Sequence, residues 1–323
     1  MLVLWSILLL VGAWTVSTPA WAMERVEEFD QDPTQHGWEA VGVAELFQWE
    51  SGAGTLRVHW DSSRSNSFFV LPLGTTLSTA DPFAFEFEIT LDSVGPRVSE
   101  RPSILQVAAG LVRRDLLPDG MPARLAGSAR DLVEWDWFPA SDIPGFGESP
   151  DVISPAVFGD GGSRAFSFDN YFNPGDGATW RVRMTNDPVR RIVETQLWRN
   201  GIEQGPVNPV RLTGAFGDAL VDSFAVINWS EAPTRLDSLE AVGHLDHIRL
   251  QFPDPPLGAV TLQSQGVVAF NGAVGWTFTL LASGDLSHWT ELASTPGTGG
   301  TMVLGDPRDG VYATQFYRVR ADR

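Results

Sequence analysis

Three groups of side chains in this 323-residue sequence have types and spacings that suit chemistry. In Glu134-Trp135-Asp136-Trp137, carboxylates alternate with indoles, so an extended backbone puts both acids on one face and both rings on the other. Ionised carboxylates are not left unpaired in a core, which predicts inward tryptophans and a wet face for Glu134 and Asp136. Two acids so placed suit a solvated strand face, sugar binding, or glycosidic hydrolysis, which needs two carboxyls flanking the scissile oxygen. Glu86 and Glu88 on one segment, and Arg181 and Arg183 on another, alternate in the same way. Brought onto one sheet they form a ladder of carboxylates and guanidiniums. Such a ladder either gives bidentate hydrogen bonds to hydroxyls or pairs with itself, exposed pairs being worth about 0–1 kcal/mol. Asp246 shares parity with Ile248 and Leu250 and so nominally faces the core. There it needs a cation or several donors, unless a β-bulge turns it outward.

Other chemistries have little to stand on. The five histidines include one close pair, His244 and His247, which three apart on a regular strand point to opposite faces and so do not form a zinc pair. There is no cysteine, hence no thiol nucleophile or disulfide, and no serine stands in a G-x-S-x-G elbow. Asp160-Gly161-Gly162 and Pro174-Gly175-Asp176-Gly177 read as turns, and Asn228-Trp229-Ser230 as a glycosylation sequon.

The elements that must position these residues follow a period of two. In Phe83-Ala84-Phe85-Glu86-Phe87-Glu88-Ile89-Thr90-Leu91 every odd position is large and apolar, the mark of a strand with one buried face. Trp180, Val182 and Met184 repeat the pattern in 179–185, and 193–198 runs into Asn200-Gly201, a dipeptide suited to a tight hairpin. Further strands are expected at 55–60, 67–71, 104–112, 132–138, 164–168, 223–229 and 245–252. About a dozen short strands without helical periodicity imply an all-β antiparallel sandwich. Phe252-Pro253-Asp254-Pro255-Pro256-Leu257-Gly258 breaks the pattern. Proline fixes φ and keeps its predecessor extended, so 253–258 reads as a stiff linker between a domain of 23–252 and one of 259–323. The second, with six short strands expected between 260 and 319, reads as a small β-sandwich of fibronectin or immunoglobulin type.

Composition bounds the partners. The chain holds 22 basic residues, all arginine, against 40 acidic ones, a net charge of −18. Four arginines and five acids lie beyond residue 256, so the acidity belongs almost wholly to the first domain. Without a basic patch, binding to nucleic acid or anionic lipid is excluded, because both rely on counterion release by Lys and Arg. Residues 1–22 carry an apolar run too short to span a bilayer and end in Ala20-Trp21-Ala22, a pattern that signal peptidases cut. The expectation is a secreted or extracytoplasmic protein with no membrane insertion after cleavage.

Phe29-Asp30 with His36-Gly37-Trp38-Glu39, Leu56-Arg57-Val58-His59-Trp60, Val133 to Pro139 and Leu245-Asp246-His247-Ile248-Arg249-Leu250 together resemble a concanavalin A-like jelly roll, as in laminin-G-like domains and carbohydrate-binding modules. The stretch Ser283 to Thr290 with Phe316 to Arg320 is similar to a C-terminal β-domain of exported proteins from Verrucomicrobia and related bacteria. The first resemblance implies a glycan-binding function. In jelly-roll carbohydrate-binding modules an acid at the closing-strand position joins acids of the opening strand around a structural calcium, which maps onto Asp246 with Glu28 and Asp30. In family-16 glycoside hydrolases the pattern E-x-D-x-x-x-E or E-x-D-x-E supplies nucleophile, helper and acid. Glu134 and Asp136 match its first two positions, but the third falls on Ala140 or Phe138. The leading expectation is therefore non-catalytic binding of polysaccharide or cell-surface glycan through Glu86, Glu88, Glu134, Asp136, Arg181 and Arg183. A structural or adhesive envelope protein without a saccharide ligand is the alternative, and a degenerate hydrolase the third.

Overall fold

The computed structural model describes residues 23–95, 106–117, 130–139, 141–143, 147–214, 216–229, 240–253, 260–264, 266–272, 276–298, 300–308 and 315–322. The expected signal segment 1–22, most of the linker and Ala140 lie outside the described residues.

Among the described residues nineteen strands precede residue 253: β1 (Met23–Glu27), β2 (Glu39–Val41), β3 (Phe47–Glu50), β4 (Thr55–Asp61), β5 (Ser67–Ser78), β6 (Phe83–Val94), β7 (Val107–Val112), β8 (Leu132–Phe138), β9 (Ser141–Ile143), β10 (Gly147–Ser149), β11 (Val152–Ile153), β12 (Ala156–Phe158), β13 (Arg164–Phe166), β14 (Thr179–Asp187), β15 (Ile192–Arg199), β16 (Ile202–Gln204), β17 (Val210–Arg211), β18 (Leu220–Asn228) and β19 (Glu240–Phe252). One sheet runs β16-β15-β14-β6-β19-β4-β3, with β1 on β19 and β17 on β15. The other runs β13-β12-β8-β7-β18-β5-β2, with β11 on β8. Neighbouring strands are antiparallel, and the two sheets make an all-β jelly-roll sandwich.

Alternation decides what lies between the sheets. Phe83, Phe85, Phe87, Ile89 and Leu91 of β6 meet Trp135 and Trp137 of β8 and Phe224 and Val226 of β18 in one core. Trp135 sits edge-on to Phe87 at 5.6 Å, the arrangement aromatic quadrupoles favour. The β15–β16 hairpin turns through Asn200 (φ 49°) and Gly201 (φ 79°), as the dipeptide predicts.

Several elements differ from expectation. β5 runs on to Ser78 through Pro72 and Gly74, where a register shift against β18 between Val221 and Ser223 absorbs the interruption. β1, β2 and β3 have too few alternating positions to signal themselves, and they form only because β19, β5 and β4 offer them edges.

Beyond the linker, β20 (Thr261–Ser264), β21 (Val267–Gly272), β22 (Thr277–Ser283), β23 (Thr290–Pro296), β24 (Gly300–Gly305) and β25 (Phe316–Asp322) form two three-stranded sheets, β20-β21-β24 and β23-β22-β25. These enclose a separate core of Val268, Phe270, Phe278, Leu280, Met302 and Leu304. Among the described residues no ladder joins these strands to the first nineteen.

Candidate functional site

The outer face of the first sheet carries the expected ladder. Because Trp180, Val182 and Met184 are buried in the core, parity sends Arg181 and Arg183 of β14 outward. Register then aligns Arg183, Glu86 and Arg249 in one row across β14, β6 and β19, and Arg181, Glu88 and Asp246 in the next. Arg183 Nη1 donates to Glu86 Oε2 at 3.3 Å and its Nη2 to Gln251 Oε1 at 2.7 Å. Gln251 Nε2 donates in turn to Glu24 Oε1 at 2.8 Å, and Arg249 lies 3.6 Å from the same oxygen. The Arg181 guanidinium lies 4.1 Å over the Trp198 ring of β15. Its buried Nε, like that of Arg249, has no hydrogen-bond partner among the described residues. Part of the ladder is thus paired with itself, and part is held in place with donor capacity left over.

Asp246 does not face the core. Asp246 aligns with Glu88 and Arg249 with Glu86, so two β19 residues, His247 and Ile248, oppose the single residue Phe87. The extra residue is His247, at φ 50°, and the bulge lets Leu245 and Ile248 both point inward while Asp246 turns out. Asp246 Oδ1 accepts the His247 backbone N–H at 2.7 Å. Burial first, then the charges of Glu28 and Glu88, push the Asp246 carboxyl above its ordinary value despite that hydrogen bond.

Glu28 is engaged by His247 Nδ1 at 2.9 Å, and Asp30 lies beside Gly54 in the β3–β4 turn. Among the described residues no three His, Asp or Glu side chains converge as a metal ion requires, so Glu28, Asp30 and Asp246 are not assembled into the ligand set expected for calcium. The bulge also undoes the expected divergence of His244 and His247. His244 meets Asp92 at 2.8 Å and Glu50 at 3.6 Å, while His247 meets Glu28, so both imidazoles serve outer carboxylates.

On the second sheet the expected parity holds and the expected solvation does not. Trp135 and Trp137 point into the sandwich core and Glu134 and Asp136 point away from it, yet both acids are 0% exposed. A second apolar cluster occupies that outer face, built from Phe68, Val70, Ala108, Ala156, Phe158, Ala225, Ile227 and Trp229. Trp229 Nε1 donates to Glu134 Oε2 at 3.1 Å. Gly110 stands opposite Glu134, and a Cβ there would come 2.6 Å from Glu134 Cα, so glycine lets β7 and β8 close at this point. An acid-indole alternation cannot distinguish a wet face from one sealed by residues far away in sequence.

Sequence reasoning missed Trp198, Arg249 and Gln251 as members of the ladder. Arg249 and Gln251 had a signal, since they alternate with Ile248, Leu250 and Phe252. Trp198 had none, because its role depends on the β14–β15 register that sets it opposite Arg181.

No protein-family model matches the chain, and no curated protein matches it in sequence. Among solved structures, lectin II from Ulex europaeus aligns at 10% identity and TM-score 0.48, over 72% of this chain and 100% of that one. The winged bean acidic lectin complexed with methyl-α-D-galactose aligns at 11% identity and TM-score 0.45, over 72% and 100%. The alginate lyase Aly36B aligns at 12% identity and TM-score 0.42, over 70% and 96%.

Proposed function

We propose that the first domain is a non-catalytic glycan-recognition module acting outside the cytoplasm on polysaccharide or cell-surface glycan, with the outer face of its first sheet as the contact surface. The observation that carries this reading is the Arg183–Glu86–Arg249 row with Gln251, beside the Arg181–Trp198 stack. Planar guanidinium, carboxylate and amide groups already ordered on a rigid sheet bind paired hydroxyls at low entropic cost. Mixed charge along the rows suits a neutral polyol better than a polyanion, since Glu24, Glu28, Glu88 and Asp246 border the same rows.

The non-catalytic part rests on two observations. Glu134 and Asp136 are sealed from water, and β8 offers Phe138 where one form of the hydrolase pattern has an acid. The test is a glycan array probed with the full chain, followed by Arg183→Ala and Trp198→Ala. Saccharide binding weakened tenfold or more by either variant supports the reading, whereas an array without hits favours the structural or adhesive alternative. Reducing-sugar release from glucans would overturn the non-catalytic assignment.

A further inference from the structure

A cleft of about 640 Å³ opens where the two domains meet, within the range of about 300–1,000 Å³ that small ligands use. Thr75 and Thr76 of β5, Asp115 and Asp222 line one side of it, and Trp276 and Val319 of the C-terminal sandwich line the other. A neighbouring cavity of about 300 Å³ shares Thr76, Asp115, Asp222 and Trp276, so the space continues past the indole.

We propose that this cleft is a second binding site, for a neutral saccharide, distinct from the ladder on the first sheet. Trp276 packs against the small C-terminal core and also lines the cleft, and an indole so anchored is a platform for the C–H face of a pyranose ring. Asp222 is fixed through Oδ1, which accepts the Arg114 backbone N–H at 3.0 Å and the Ser223 hydroxyl at 2.9 Å. Its Oδ2 and the hydroxyls of Thr75 and Thr76 make no hydrogen bond among the described residues, leaving acceptor and donor capacity at the cleft.

Charge selects the ligand class. Arg114 is paired with Glu39 at 2.7 Å and Arg113 with Asp115 at 2.9 Å, so among the described residues the cations nearest Asp222 are already engaged by other carboxylates, Arg113 acting on Asp222 only through its charge. In a chain of net charge −18, such a cleft disfavours phosphate, sulfate or uronate groups, while hydroxyls satisfy the carboxylate without a charge penalty. A ligand there touches both domains, so its binding stabilises them together.

The test uses the full chain carrying Arg183→Ala, which weakens the ladder contribution, titrated calorimetrically with neutral hexasaccharides of glucose, mannose, galactose and xylose. The expected result is residual binding of at least one of them, weakened tenfold or more by Trp276→Ala and at least threefold by Thr76→Val. Thr76 is exposed, so its variant decides the matter should Trp276→Ala unfold the small sandwich. Binding absent in the Arg183→Ala background, or indifferent to both cleft variants, overturns the proposal. The ladder is scored separately, by the loss on going from the unmutated chain to Arg183→Ala, and the cleft by the further loss that its own variants cause in that background.

Discussion

Glu134 Oε2 accepts a 3.1 Å hydrogen bond from the Trp229 indole N–H on the covered face of the second sheet, where neither side chain is more than 1% exposed. A carboxylate in such a place depends on its donors, since water cannot replace one that is lost. Trp229→Phe keeps a ring but deletes the donor. It should lower the unfolding free energy by about 1–3 kcal/mol or more, read from the denaturant midpoint at unchanged slope.

Gly110→Ala tests how closely β7 and β8 approach at Glu134. The added methyl would sit 2.6 Å from Glu134 Cα, and backbone cannot yield as a flexible side chain does. Overpacking of this kind costs about 1–3 kcal/mol, and the first-domain melting transition should fall while the second stays in place.

Asp246 gives a pH dependence of defined sign. Its carboxyl titrates above the ordinary 3.8, chiefly through burial and then through Glu28 and Glu88, so between those values the folded state binds more protons than the unfolded one. Stability therefore falls as pH rises through this window, and the penalty is complete above the folded pKa. Asp246→Asn retains an oxygen for the His247 N–H and should raise the first-domain melting midpoint at pH 7, with the gain vanishing below pH about 3.8. The same scans with calcium and with chelator check for a structural ion. A midpoint of the unmutated chain that calcium raises, and that Asp246→Asn makes indifferent to calcium, would place a cation at this carboxylate.

Asp306 works in the opposite direction. The Arg308 guanidinium, at 2.9 and 2.6 Å, holds its carboxyl down at about 2, with help from the Arg308 backbone N–H and the Tyr317 hydroxyl at 3.1 Å. A depressed carboxylate contributes stability that is fully present above the unfolded value of 3.8 and is lost as pH falls through about 2. Calorimetric scans should show the C-terminal transition weakening between pH about 4 and 2. Asp306→Asn should lower that transition at neutral pH and flatten its acid limb.

What the sequence determined by itself was which residues share a face. Strict alternation in β6, β8 and β14 was enough to send Phe85, Trp135 and Val182 inward and Glu86, Glu134 and Arg183 the other way, because the pleat leaves each side chain only two directions. Tertiary structure decided what each outward face meets. Arg183 finds Glu86 on the paired strand β6 and Gln251 one strand further on, in β19, 68 residues away in the chain, while Glu134 lies on the face that the cluster of Phe68, Phe158 and Trp229 covers. Asp246 departs even from parity, because packing Leu245 and Ile248 together into the core requires one residue more than the pleat allows. Alternation is a local property of the backbone, whereas solvation, register and bulges depend on segments that approach only once the sandwich has closed.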